Sequence, residues 1–104
     1  MMSYTTGSRM AVLVVLSKTK AWMDTKTIMA MGNKLSGVPT TPNRDRGGGW
    51  SVFSWPDRTM RYVRYWVRMQ HVEELKKGRY TYFRATVEGR RAATLFSLQF
   101  KEKR

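Results

Sequence analysis

Arg58, Arg61, Arg64 and Arg68 stand three or four residues apart, and no lysine or acid interrupts the run from Arg58 to Gln70. Guanidinium groups present a planar fork of donors that can grip a guanine edge or a phosphate bidentately, whereas lysine acts as a point charge. At helical spacing Arg61, Arg64, Tyr65 and Arg68 share a narrow wedge, while Met60, Val63, Trp66, Val67 and Gln70 lie on the other side. A solvated helix face ordinarily mixes both signs of charge, and this one does not. Arg58, Thr59, Arg61 and Tyr62 fall near its N-terminal end. A second basic group, Lys76, Lys77 and Arg79, surrounds Gly78, and a third, Arg44 and Arg46, lies among glycine, proline and asparagine.

Other chemistries find little to work with. The chain has no cysteine and a single histidine, His71. The acids are scattered singly except Glu73-Glu74, which as neighbours on a strand would point to opposite faces. Gly47-Gly48-Gly49 lacks the preceding strand and following Lys-Ser/Thr of a phosphate-binding loop. The expectation is therefore no catalytic residue, no metal site, no cofactor and no enzyme.

Charge supplies the next constraint. Twenty Lys+Arg face seven Asp+Glu, a formal net charge of +13. An excess of this size on 104 residues repels itself unless a polyanion binds, which makes nucleic acid the leading partner class and an anionic membrane surface the second. No apolar run approaches membrane-spanning length and no cleavable leader is evident, so a cytoplasmic, nucleoid-associated protein without a membrane partner is expected. With 41% hydrophobic residues, including four Trp, five Tyr and four Phe, the chain has material for one real core.

The elements that must position these groups follow from local pattern. Residues 1–8 read as a flexible lead-in. Met10–Leu16 is the most apolar run, and it suits either a buried strand or a core helix capped by Ser8. Asp24 or Thr25 opens a second helix carrying Ile28, Met29, Met31 and Leu35, which Gly37 and Pro39 end. Residues 36–56 read as a long loop, rich in glycine and proline. Its end, Trp50–Trp55, is expected to pack as a short strand or lid beside the later hairpin. The basic helix spans 58–70. Strand 72–76, turn 77–78 and strand 79–85 form a hairpin, and Thr86 caps a last helix from Val87 to about Phe100. Residues 101–104 are a charged tail, and 9–100 read as one domain.

This order of elements resembles a winged helix-turn-helix domain of the broad MarR-like and PadR-like type, prokaryotic or phage. The basic helix stands where such domains place the recognition helix, and the hairpin stands where they place the wing. The run Phe83-Arg84-Ala85-Thr86-Val87-Glu88-Gly89-Arg90-Arg91 is similar to their exit from the wing. The resemblance implies an α+β fold, with a three-helix core, a β-hairpin wing and a C-terminal helix. It departs from the family pattern at 36–56, where a turn of a few residues is usual.

The function expected on these grounds is transcriptional regulation through double-stranded DNA. The contact residues would be Arg58, Thr59, Arg61, Tyr62, Arg64, Tyr65 and Arg68 in the major groove, with Lys76, Lys77, Arg79, Arg44 and Arg46 on phosphate. A homodimer through the last helix is compatible with its apolar content. Two alternatives stand beside this reading. One is a small interaction protein that modulates a larger host enzyme through Trp50, Phe53 and Trp55. The other is RNA or single-strand binding by the aromatic row 79–84.

Overall fold

A helical segment apolar on every side must be enclosed by other elements, and the second half of α1 (Tyr4–Leu16) is such a segment. Ala11, Val12, Leu13, Val14, Val15 and Leu16 are consecutive and all buried. In this computed structural model, which describes residues 4–36 and 50–102, α1 packs against every other helix and the second strand. The β-branched valines are thus held in a helix by tertiary packing that outweighs their strand preference. The lead-in expectation needs correction: the helix begins at Tyr4, and Ser8 is fully buried within it, so Ser8 is not an N-cap.

Asp24 caps α2 (Thr25–Ser36), its carboxylate accepting the Thr27 amide at 2.9 Å. Ile28 is fully buried, and Gly32 lies under the ring of Phe53 so closely that a Cβ there would collide with it. Phe53 belongs to a short 3-10 helix (Trp50–Ser54), not to a strand. Val52 and Phe53 insert into the core, and Asn33 donates to the Phe53 carbonyl at 3.3 Å. Residues 37–49, including Arg44 and Arg46, lie outside the described residues.

Trp55 is extended, and Pro56 occupies the first turn of α3 (Pro56–Arg68), where its missing N–H costs nothing. The cap is Trp55 without a side-chain bond, and Asp57 favours the first turn through the helix dipole. The helix stops two residues before Gln70. His71 N–H bonds the Trp66 carbonyl at 2.9 Å and Gln70 N–H bonds the Val67 carbonyl at 3.0 Å. This is a Schellman ending with Gln70 in the left-handed region, φ 64°.

Strands β1 (Val72–Lys77) and β2 (Tyr80–Ala85) pair antiparallel from Val72↔Ala85 to Lys77↔Tyr80. The turn is therefore Gly78-Arg79, one residue later than expected, with Gly78 at φ 63°. The neighbour on the other edge of β2 is Met23, not the 50–55 segment: Met23 and Phe83 exchange both backbone bonds, at 2.9 and 2.8 Å. Thr86 then caps α4 (Val87–Glu102), its hydroxyl accepting the Gly89 amide at 3.1 Å and donating to the Gln70 carbonyl at 3.0 Å. Gly89 leaves room for the His71 carbonyl, and Arg90 reaches the Ala85 carbonyl at 3.2 Å. The Thr86-x-x-Gly89-Arg90 run is thus a clamp that ties the exit of α3, the hairpin and α4 together. The result is a small α+β structure, four helices and one two-stranded hairpin around a shared core, among the described residues.

Candidate nucleic-acid interface

The rotation of α3 is set by what it buries. Thr59, Val63 and Trp66 face the core, with Met60 and Val67 half-buried beside them. Trp66 Nε1 donates to the Arg9 carbonyl at 2.7 Å, and the Thr59 hydroxyl donates to the Val52 carbonyl at 2.9 Å. These two bonds fix the helix from both ends of its inner face. Arg58, Arg61, Arg64 and Arg68 consequently all face out and are exposed. No carboxylate pairs with any of them among the described residues, where the salt bridge found is Arg84–Glu73. The Arg58 guanidinium lies 5.2 Å from the Trp55 ring, which supports it at the N-terminal end.

Thr59 must be removed from the expected contact set, because it is fully buried and its hydroxyl is engaged with the 3-10 helix. Tyr62 and Tyr65 are half-buried and pack against the core. Tyr65 meets Trp66 edge-on, with centroids 5.0 Å apart, and carries the Arg9 guanidinium 4.3 Å over its face. Its front is therefore occupied by another part of the same chain. The proposed aromatic docking trio also breaks up: Phe53 is fully buried, Trp55 is exposed, and the side chain of Trp50 lies outside the described residues.

Between α3 and the hairpin runs a groove of about 440 Å³. Arg64 and Arg68 line it from α3 and Lys76 and Glu74 from β1, with Met60 and Phe83 among the apolar lining. Strand alternation explains this division. Val72, Glu74 and Lys76 oppose Ala85, Phe83 and Thr81 on the inner face, whereas Glu73, Leu75 and Lys77 oppose Arg84, Tyr82 and Tyr80 on the outer face. Glu73 and Glu74 therefore do part company: Glu73 accepts Arg84 Nε at 2.9 Å outside, and Glu74 stands inside among cations. Lys76 is exposed at the rim of the inner groove, and Lys77 and Arg79 are exposed at the tip beyond it.

Sequence reasoning missed two features. Arg84 stacks over Trp22 at 4.3 Å, a contact created by the Met23 bridge that lays the Trp22 segment beside β2. Arg9, from the apolar α1, has a buried Nε without a hydrogen-bond partner and rests on Tyr65. Neither pairing has a local signal, because each joins residues far apart in the chain.

The electrostatics are simple. Asp24 is held below its ordinary carboxyl value of 3.8, chiefly by the Thr27 side chain and then by the Thr27 amide, as suits an N-cap. His71 is partly buried at the junction, its Nδ1 2.9 Å from the Met69 carbonyl and its ring 5.3 Å from that of Trp66. No group of three His, Asp or Glu side chains converges on a metal position among the described residues, and none of their helices is long and apolar enough to cross a membrane. Comparisons with protein-family models, curated proteins and solved structures find nothing that matches this chain.

Proposed function

We propose that the chain is a winged helix-turn-helix protein that regulates transcription by binding double-stranded DNA. In this reading α3 enters the major groove and the hairpin tip closes on neighbouring phosphates. The observation that carries it is the outward fan of Arg58, Arg61, Arg64 and Arg68, unpaired with acid among the described residues and backed by a rigidly held apolar face. A major groove about 12 Å wide accepts one helix about 10–12 Å across. Arginine near the N-terminal end of such a helix is suited to guanine edges, and Lys76 and Lys77 are suited to phosphate.

The buried state of Phe53 weakens the reading in which the 50–55 aromatics recruit a protein partner. Removal of Thr59 from the contact set leaves base reading to Arg58 and Arg61, with Arg64 and Arg68 further along. Fluorescence anisotropy on duplex DNA tests this. Arg61→Ala or Arg64→Ala should weaken binding to a preferred duplex by about 1–3 kcal/mol and relax base preference, at an unchanged melting temperature. Equal loss on every sequence would restrict these arginines to phosphate, and no duplex binding by the parent protein at low salt would end the proposal.

A further inference from the structure

Apart from Lys77 at its tip, the outer face of the hairpin takes no part in the duplex binding proposed for α3. It carries Lys77 and Tyr80 at the tip, Leu75 and Tyr82 in the middle, and Glu73 and Arg84 at the base beside Trp22. Apolar side chains on this face are uncovered in part: Tyr80 is 62% exposed and Leu75 39%, and Tyr82 is half-buried. The Tyr80 and Tyr82 rings are 6.5 Å apart and tilted by 44°. The single carboxylate in the row, Glu73, is neutralised by Arg84. Lys77 and Arg79 leave the open end of the row positive.

We infer that this face is a second nucleic-acid site, one that stacks the unpaired bases of single-stranded DNA. Every base has a π-face, and exposed tyrosines beside cations bind it by stacking while the cations follow the backbone. A duplex hides its base faces, so only an unpaired strand can use the rings. The 6.5 Å separation follows the two-residue repeat of β2, and the 44° tilt leaves the two rings as separate faces, each able to take one base. Charge argues against a second copy of this chain as the occupant, since two faces rimmed by Lys77 and Arg79 on chains of +13 repel each other.

Because the inner groove and α3 lie on the opposite side of the hairpin, one molecule can hold duplex on one face and an adjoining single strand on the other. The choice of DNA over RNA rests on the reading of α3; the stacking site itself does not.

The test compares three probes: a blunt duplex, the same duplex with a tail of about ten thymidines, and the tail alone. The tailed duplex should bind at least about fivefold more tightly than the blunt one. The paired substitution Tyr80→Ala with Tyr82→Ala should abolish that gain and leave blunt-duplex binding unchanged. Tyr80→Phe with Tyr82→Phe, which keeps both rings, should retain the gain and guard against a folding artefact. Equal binding of tailed and blunt duplex overturns the inference, as does a gain that survives the alanine pair. Preference for a uridine ribonucleotide tail overturns the assignment to DNA. Self-association of the parent protein that the alanine pair removes would make the face a contact between copies and overturn it as well. Tyrosine-dependent binding of the tail alone, without duplex binding, would uphold this site and defeat the reading of α3.

Discussion

Thr59 and Arg61 are two residues apart on α3 and meet opposite environments. Thr59 is sealed against Val52, while Arg61 is exposed. Helical rotation alone separates them by about 160° once Val63 and Trp66 are taken as the inward pair. Thr59 was expected in the groove because it lies near the helix N-terminus, and the rotation that turns it toward Val63 and Trp66 buries it instead. Arg9 on Tyr65 was not legible, because the contact depends on how α1 crosses α3. Gln70 carries the most local test. Its left-handed backbone is unfavourable for any residue with a Cβ, and its carbonyl, not its side chain, receives the Thr86 hydroxyl. Gln70→Gly should therefore stabilise the fold by up to about 1 kcal/mol, the relief of strain partly offset by glycine's entropy. A higher urea midpoint at an unchanged slope is the expected reading. Asp24 supplies a test in pH. Its folded value is lowered, so its contribution is present above about pH 4 and is lost as pH falls through the folded value. Asp24→Ala should cost about 1 kcal/mol at neutral pH. The gap between parent and variant should narrow near pH 3 in paired denaturation curves, and a gap that widens on acidification contradicts the capping role.

At the scale of elements, the hairpin and the entry to α4 were readable because their causes are local. Alternation fixed the faces of Glu73 and Glu74, Gly78 marked the turn to within one residue, and Thr86 was a sound cap. Helix α1 was ambiguous for a physical reason: an element buried on all sides has no polar stripe from which to read a period. The 3-10 helix was missed because its conformation answers to a distant vacancy, the bare backbone of Gly32 that admits the Phe53 ring. The groove between α3 and the hairpin makes a prediction of its own. Glu74 is a carboxylate among Arg64, Arg68 and Lys76, where a phosphate strand would pass. Glu74→Gln should raise duplex affinity by about 0.5–1 kcal/mol, the scale of one repulsion in a water-rich groove. The gain should fade at high salt in an anisotropy series, and unchanged affinity at low salt would take the groove out of the interface.

Across the whole molecule, the charge is not spread evenly. Residues 1–52 carry seven basic and two acidic groups, net +5, and residues 53–104 carry thirteen and five, net +8. In the described residues of the second half, α3 and the hairpin tip hold seven of those cations on exposed positions: Arg58, Arg61, Arg64, Arg68, Lys76, Lys77 and Arg79. The apolar core inside is built from all four helices, the 3-10 helix and both strands, so the basic surfaces are carried on a common support. That support is why charge removal at the tip should alter binding without altering stability. The most direct measurement is duplex affinity as a function of salt for the parent protein and for a variant with Lys76, Lys77 and Arg79 all replaced by alanine. With about six phosphates neutralised, log K should fall against log salt with a slope near −5, and the triple variant should show a slope shallower by about two to three. A parent slope near zero, or an identical slope in the variant, would contradict the account.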